Sequence, residues 1–187
     1  MDANSREPLS GAEFNVKDSG GEVIGSYTTG RDGTATVSGL TPNSTVVVTE
    51  TRAPAGYALA EKPQTIRVGS GKPNSLTFEN PPLSTLVIRK YISGTENEPL
   101  SGVQFQITDG SGAGIGPDDG LYYTDASGEI RLTGLKPGIT VKAREVRTVT
   151  GFVLDGTPQD ILISSGQEQV STFWNQRQGD VFYKGGT

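Results

Sequence analysis

Three polar residues between positions 90 and 175 lie where strand alternation predicts apolar side chains. Successive side chains of a β-strand point to opposite faces. In three runs rich in Val, Ile and Thr, this alternation puts Lys90, Glu145 and Asn175 on the face that carries the apolar residues. The first half repeats part of the pattern with Glu50 and Asn80. Burial of these groups is costly unless they contact one another, so the pattern favours one common site over fraying strand ends or a simple buried ion pair.

These three residue types allow one reaction, in which the chain modifies itself. Burial lowers the pKa of a lysine amine and raises that of a carboxyl, so a neutral amine can face a protonated acid. Attack of Lys90 Nζ on the side-chain carbonyl of Asn175, with Glu145 polarising the carboxamide, would release ammonia and leave an amide between the two side chains. Because this happens once per chain, we predict self-modification and no enzyme with turnover.

The composition excludes several other chemistries. The 187 residues include no Cys and no His, so a Ser-His-Asp triad, a zinc site of thiolates or imidazoles and a disulfide are all impossible. We expect no cofactor and no metal, since Asp118 and Asp119 fit a turn better than a calcium loop. The net charge of −5 argues against nucleic acid as a partner. No run approaches the ~20 apolar residues of a membrane span, and the first residues do not resemble a signal peptide.

The chain contains the same sequence pattern twice. The string Pro-Leu-Ser-Gly-x-x-Phe at residues 8–14 returns at residues 99–105, 91 positions later, and later landmarks such as Gly33 and Gly128 are 95 positions apart. The difference corresponds to an insertion near residues 110–121. Each copy consists of short alternating runs between Gly- and Pro-containing turns, a pattern that predicts roughly seven strands per copy.

We therefore predict an all-β fold of two tandem Ig-like antiparallel β-sandwich domains. Residues 1–82 would form a domain that lacks its first strand, and residues 83–177 a complete one. Residues 178–187 would form a tail that resembles the first strand of a following repeat. Pro81 and Pro82 mark the boundary, because proline ends a strand and stiffens a connection.

Several of these motifs resemble a known family. The Pro-Leu-Ser-Gly-x-x-Phe opening, Gly-Leu-x-Pro, the run Glu-Thr-Arg-Ala-Pro-Ala-Gly-Tyr at residues 50–57 and the closing Phe-x-Asn are similar to B-type repeats of collagen-binding adhesins and to SpaA-type pilin domains of Gram-positive surface proteins. Copy two departs from the third motif, with Glu-Val-Arg-Thr-Val-Thr-Gly-Phe at residues 145–152. The resemblance implies an Ig-like or prealbumin-like fold for both domains. It also implies an intramolecular isopeptide bond between Lys90 and Asn175, assisted by Glu145.

In copy one the resemblance implies Glu50 and Asn80 but supplies no lysine, because the lysine position falls before Met1, which we align with Ile92. The tail offers a candidate, since Val-Phe-Tyr-Lys ending at Lys184 resembles the first-strand string of copy two. Either the chain is a piece that ends one strand into the next repeat, or the tail completes copy one. In the second case, folding back or donation to another molecule would join Lys184 to Asn80 with Glu50 assisting.

The resemblance implies a structural stalk module of a bacterial surface adhesin or pilus, extracellular and anchored to the cell wall. Its partners would be neighbouring repeats of the same polypeptide and, through the C-terminal strand, another copy of the chain. The sequence specifies no host ligand, and we expect neither a nucleic acid nor a membrane as partner. The alternatives are an adhesive tip that binds a ligand through residues 110–121 or through exposed Tyr122, Tyr123 and Trp174, and a carbohydrate-binding β-sandwich module.

Overall fold

Eleven short strands separated by turns form the regular structure of residues 1–71 and 73–179, the part of the chain that the computed structural model describes. The chain divides into unit 1 (Met1–Leu83) and unit 2 (Ser84–Thr187). The strands are β1 (Glu13–Asp18), β2 (Val23–Thr28), β3 (Thr45–Arg52), β4 (Gln64–Arg67), β5 (Ser84–Ile92), β6 (Gln104–Asp109), β7 (Leu121–Tyr123), β8 (Glu129–Leu135), β9 (Thr140–Arg147), β10 (Gln159–Leu162) and β11 (Glu168–Asn175). A 3-10 turn, Asp118–Gly120, precedes β7. No helix within these described residues is long and apolar enough to cross a membrane.

Unit 2 contains two sheets whose inward side chains form one core. The strand orders are β10-β9-β6-β7 and β11-β5-β8. Alternation is clear in β9, where Val141, Ala143 and Glu145 are buried while Lys142 and Arg144 are exposed. Such a pattern is expected of strands that cover a core on one face and contact water on the other. The seven strands of unit 2 match the predicted number.

The pairing of the first and last strands of unit 2 departs from a purely antiparallel sandwich. Strand β5 is the central strand of its sheet and runs antiparallel to β8 but parallel to β11. The β5–β11 ladder extends from the Thr85–Glu168 pair to the Ile92–Asn175 pair. Alternation of side chains specifies which face a residue occupies but not the direction of its neighbouring strand, so the pattern of residues contains no signal for this parallel pair.

Unit 1 contains one four-stranded sheet, in the order β2-β1-β3-β4. By the repeat, residues 34–40 correspond to β8 and residues 75–79 to most of β11, yet these described residues form no strand. In unit 2 both equivalents pair with β5. The described residues of unit 1 contribute only a short substitute, a parallel bridge between Asp2 and Asn80. Without a central strand, the flanking segments have no ladder partner.

The two cores differ accordingly. Among the described residues, the main cluster of unit 2 has fourteen buried apolar side chains, whereas the corresponding cluster of unit 1 has three. Those three are Ala12, Phe14 and Phe78, with Phe14 and Phe78 packed at a ring-centroid distance of 4.8 Å. Unit 2 keeps a similar aromatic pair, Phe105 and Phe173, at 5.0 Å. The aromatic centre is therefore common to both units, and the surrounding aliphatic core is larger in unit 2.

Candidate crosslink site

Three strands of unit 2 bring Lys90, Glu145 and Asn175 together in the core. Lys90 lies on β5, Glu145 on β9 and Asn175 at the end of β11, and their exposed fractions are 0%, 1% and 1%. Lys90 Nζ donates a hydrogen bond to Asn175 Oδ1 at 2.7 Å and lies 2.7 Å from Glu145 Oε2. Asn175 Nδ2 donates to Glu145 Oε1 at 2.6 Å. Each side chain thus contacts both others, as expected of buried polar groups that satisfy one another.

Aromatic rings surround the lysine amine. Lys90 Nζ lies 5.8 Å from the ring centroid of Phe105 and 5.9 Å from that of Phe173. Burial lowers the pKa of the Lys90 amine below its ordinary value, although the adjacent Glu145 carboxylate acts in the opposite direction. Since only the neutral amine has a free lone pair, this environment favours the nucleophilic form of the lysine.

The backbone around Lys90 fixes the position of its side chain. Lys90 N donates to Gly128 O at 2.8 Å, and Lys90 O accepts from Leu100 N at 2.9 Å. Gly128 has a φ of +71°, and a Cβ on this residue would lie 2.5 Å from Lys90 O. Both the left-handed conformation and the close approach require glycine here. The turn before β8 is therefore part of the support of the site.

Thr148 also belongs to the site. Asn175 Nδ2 donates a second hydrogen bond, to Thr148 Oγ1, at 2.8 Å. Thr148 follows the end of β9, so strand alternation could not identify it. A signal was nevertheless present, because Thr148 lies in the string where copy two departs from the motif of copy one and has Ala53 as its counterpart.

Glu145 occupies a position from which it can both accept and return a proton. Its Oε2 faces the lysine nitrogen, and its Oε1 faces the nitrogen that would leave as ammonia. Transfer of a proton from Nζ to the carboxylate leaves a neutral amine and a neutral acid, and so removes two buried charges. The acid can then protonate Nδ2 as the Cγ–Nδ2 bond breaks. The arrangement is suited to amide formation between Lys90 and Asn175.

Unit 1 contains two of the three residues in the same relation. Glu50 and Asn80 are buried, and Asn80 Nδ2 donates to Glu50 Oε2 at 2.7 Å and to the Ala58 carbonyl at 3.0 Å. Glu50 Oε2 also accepts from Ala60 N at 2.6 Å. Glu50 Oε1 has no hydrogen-bond partner among the described residues. In unit 2 the corresponding oxygen, Glu145 Oε2, also accepts no hydrogen bond within the described part of the chain, but it lies 2.7 Å from Lys90 Nζ and forms an ion pair with it.

The register of unit 1 corrects one sequence alignment. Ala3 N donates to Asn80 O at 3.0 Å, as Ser93 N does to Asn175 O at 2.9 Å, so Ala3 corresponds to Ser93. Met1 therefore occupies the position of Tyr91, and the alignment of Met1 with Ile92 is wrong by one residue. The connection from this strand to the following repeat motif is one residue shorter in copy one. The lysine position falls immediately before Met1, whose amino group donates to Phe78 O at 2.7 Å.

A cavity of about 780 Å³ in unit 1 has Asn80 in its wall. Apolar residues of the sheet and of the flanking segments line it, including Val37, Leu40, Val46, Val48, Leu76 and Phe78. Met1 and Asn80 also contribute to its wall. The cavity therefore lies between the segments that correspond to β8 and β11, where β5 runs in unit 2.

Among the described residues, the remaining candidates are not part of the Lys90–Glu145–Asn175 contacts. Lys184 lies outside the described residues. Tyr123 and Trp174 are exposed, whereas Tyr122 packs against the core and donates its hydroxyl to Ile115 O at 3.0 Å. The residues Asp118 and Asp119 lie in the 3-10 turn before β7. No group of three or more His, Cys, Asp or Glu suited to a metal ion occurs among the described residues.

The fold and the buried polar pairs define a class of tandem β-domains with a Lys–Glu–Asn site in one unit and a Glu–Asn pair in the other. The family of SpaA prealbumin-like fold domains matches twice, at residues 1–82 and 85–177. The chain belongs to this family, which confirms the resemblance and the prealbumin-like fold inferred from the motifs. The comparison with curated proteins finds no match.

Solved structures with the same fold include bacterial pilins. The chain resembles a Streptococcal ancillary pilin, with a TM-score of 0.51 and 20% identity over 96% of this chain and 61% of that one. It also resembles the shaft pilin SpaA of Lactobacillus rhamnosus GG, with a TM-score of 0.50 and 17% identity over 94% and 90% of the two chains. A third match is the Bacillus anthracis TIE protein, with a TM-score of 0.49 and 23% identity. The match covers 93% of this chain and 32% of that protein.

Proposed function

We propose that this chain is a structural stalk module of a Gram-positive surface protein, and that unit 2 is strengthened by a self-formed amide between Lys90 and Asn175. The observation that carries the proposal is the mutual contact of three buried groups, with amine, carboxylate and carboxamide separated by 2.6–2.7 Å. Membership of the SpaA family and the fold shared with pilins support a stalk role. In this proposal the module is extracellular and belongs to a protein anchored to the cell wall.

The reaction conserves atoms and charge without any co-reactant. Glu145 takes a proton from Lys90, the neutral Nζ attacks Asn175 Cγ, and the Nζ–Cγ bond forms as the Cγ–Nδ2 bond breaks. Glu145 returns this proton to Nδ2, and the second proton that Nζ loses on becoming an amide nitrogen leaves with it, so that the Lys90 ammonium and the Asn175 carboxamide give the amide and ammonium. Proximity replaces the binding steps of an enzyme, since all three groups are held in contact by the fold. Each chain reacts once, so the activity is self-modification and not turnover.

The position of the amide explains its benefit to a stalk. Tension enters unit 2 at the start of β5 and leaves after β11. These two strands are parallel neighbours, so the force would otherwise shear their ladder of hydrogen bonds. With Lys90 joined to Asn175, the force passes through covalent bonds and bypasses the residues between them. The closed loop would also add roughly 4–5 kcal/mol of stability by the chain-entropy model.

Intact mass tests the proposal. Unit 2 of the purified wild-type chain should account for a mass deficit of one ammonia molecule, and the Glu145→Ala variant should lack this deficit. Glu50→Ala, the matched change in unit 1, should retain the deficit. A deficit of equal size in Glu145→Ala would show that Glu145 has no part in the reaction, and a wild type of full mass would refute the crosslink.

We also propose that unit 1 accepts a strand that carries a lysine. The supporting observations are the Glu50–Asn80 pair, the Glu50 oxygen without a hydrogen-bond partner among the described residues, and the cavity that has Asn80 in its wall. The C-terminal tail is the candidate donor, with Lys184 as the residue that would join Asn80. Because Met1–Ala3 already pairs beside Asn80, a donated strand must place its lysine just before Met1 and then leave the sheet.

Denaturing gels test this second proposal. Donation between molecules predicts covalent dimers and longer species whose abundance rises with protein concentration, and these should disappear in both Lys184→Ala and Asn80→Ala. Folding back within one molecule instead predicts a monomer with a second ammonia lost. Only unlinked monomers with a single ammonia lost would refute donation by the tail, while the Lys90–Asn175 bond would be unaffected.

A further inference from the structure

The carboxamide of Asn175 has a defined partner for each of its polar hydrogens. One hydrogen of Nδ2 goes to Glu145 Oε1 at 2.6 Å and the other to Thr148 Oγ1 at 2.8 Å, while Oδ1 accepts from Lys90 Nζ. Two acceptors on one side and a donor on the other allow only one orientation of the amide plane. In that orientation the leaving nitrogen faces the acid and the carbonyl faces the amine.

In unit 1 the asparagine nitrogen also donates to two acceptors, but the second acceptor is of a different kind. There Asn80 Nδ2 donates to Glu50 Oε2 at 2.7 Å and to the backbone carbonyl of Ala58 at 3.0 Å. The counterpart of Thr148 in copy one is Ala53, which has no side-chain oxygen. A second acceptor is therefore present in both units, although a hydroxyl supplies it in one and a backbone carbonyl in the other.

The position of Thr148 is fixed from both sides. The residue before it, Arg147, pairs with Gln104 of β6. The residue after it, Val149, packs against the core of unit 2, and Val149 O accepts from Phe152 N at 3.3 Å to close a turn. An acceptor held in this way costs little additional ordering when it binds Asn175.

We propose that Thr148 is a positioning residue for amide formation between Lys90 and Asn175. This inference rests on the proposed function of unit 2. Thr148 holds Nδ2 towards Glu145, so that the acid can protonate the leaving nitrogen, and thereby keeps Oδ1 on the side of Lys90. During the step the Nζ–Cγ bond forms, the Cγ–Nδ2 bond breaks, and Glu145 moves the proton. Thr148 neither gains nor loses a proton.

The test measures the rate of crosslinking in newly made protein. The full chain is translated in a cell-free system and quenched in acid and denaturant at intervals, and mass spectrometry follows the loss of ammonia from the Lys90–Asn175 pair. Thr148→Val, which keeps the shape but lacks the acceptor, should react about threefold to tenfold more slowly, as expected for the loss of one neutral hydrogen bond. Thr148→Ala should also be slow, and Thr148→Ser should react at nearly the wild-type rate.

Two controls separate positioning from general stability. Thr150→Val changes an exposed threonine in the same turn and should leave the rate unchanged. The pH dependence of the rate should be the same in Thr148→Val as in the wild type, because both proton-carrying groups are intact. A uniform loss of folding would instead reduce the folded fraction in circular dichroism and would lower the final yield rather than the rate.

The outcomes distinguish this inference from the function on which it rests. Slow crosslinking in the Val and Ala variants with fast crosslinking in the Ser variant supports positioning by the hydroxyl. Equal rates in all three variants overturn the inference, although the crosslink itself stands. A Ser variant that reacts as slowly as the Val variant also overturns the inference. If the Val variant does not fold, the comparison of Ala with Ser decides between the same two outcomes. A wild type that never loses ammonia refutes the proposed function.

Discussion

The two units differ in the strand that carries the lysine. Without this strand, unit 1 still forms part of the site but has a smaller core. In unit 2, β5 supplies Lys90 and pairs with the strands on both sides of it. In unit 1, the described residues supply only Met1–Ala3 at the matching edge, yet Glu50 and Asn80 still contact each other at 2.7 Å. The Glu–Asn contact therefore does not require the lysine.

This comparison shows which elements position each part of the site. A middle strand, β3 or β9, carries the glutamate in either unit, and the last segment of each repeat carries the asparagine. In unit 2 the central strand supplies Lys90, the proposed nucleophile, and pairs with β8 and β11. The equivalents of β8 and β11 in unit 1, residues 34–40 and 75–79, form no strand, so the central strand also orders its neighbours. In the proposed reaction, the acceptor half of the site therefore forms without the lysine, and the strand that carries the lysine would supply both the nucleophile and the centre of the core.

The largest expected effect distinguishes the two asparagines. Asn175→Ala should lower the free energy of unfolding of unit 2 by roughly 4–5 kcal/mol, because the loop closed by the amide is opened. Asn80→Ala should lower that of unit 1 by only about 1–3 kcal/mol, the cost of leaving a buried partner unsatisfied. Calorimetry of each variant measures both. The smaller loss is expected of a unit 1 without a bonded strand, and similar losses in the two units would show that Asn80 is crosslinked as well.

A smaller effect is expected at two glycines, Gly128 at the end of the turn before β8 and Gly33 at the equivalent position of unit 1. Gly128→Ala and Gly33→Ala both introduce a Cβ at positive φ that clashes with neighbouring atoms, so each should destabilise its unit by about 1–3 kcal/mol. Only Gly128→Ala should also slow crosslinking, because its Cβ would press on the carbonyl of Lys90. Mass spectrometry after cell-free translation measures this rate. A change in the rate of Lys90–Asn175 crosslinking with Gly33→Ala would contradict the conclusion that only the Gly128 turn supports the site.

The smallest effect is a pH dependence that the amide removes. In Asn175→Ala the lysine stays free, and burial keeps the pKa of Lys90 below its unfolded value of about 10.4. The unfolded state then binds more protons between the two pKa values, so the stability of unit 2 should rise with pH across that window. Denaturant unfolding at several pH values should show this rise in Asn175→Ala relative to the wild type, whose Lys90 is in the amide. Identical pH profiles for the two proteins would argue against a free lysine in one and a bonded lysine in the other.

Much of this architecture could be predicted from the sequence because its patterns are local. Alternation assigned Lys90, Glu145 and Asn175 to inward faces, and the two repeated copies indicated two units. The parallel pairing of β5 with β11 could not be predicted, because the direction of a neighbouring strand depends on the path of the whole chain. Thr148 lies in a loop, where side chains follow no period, so only the departure from the motif marked its position.

The central claim is that Lys90 and Asn175 become one covalent unit, and peptide mapping tests it most directly. The wild-type chain is denatured and digested, and tandem mass spectrometry is used to sequence the fragments that contain the two residues. The account predicts one branched peptide in which Lys90 Nζ is joined to Asn175 Cγ, with the mass of one ammonia molecule missing. Recovery of two separate linear peptides at full mass, with Lys90 and Asn175 unmodified, would contradict it.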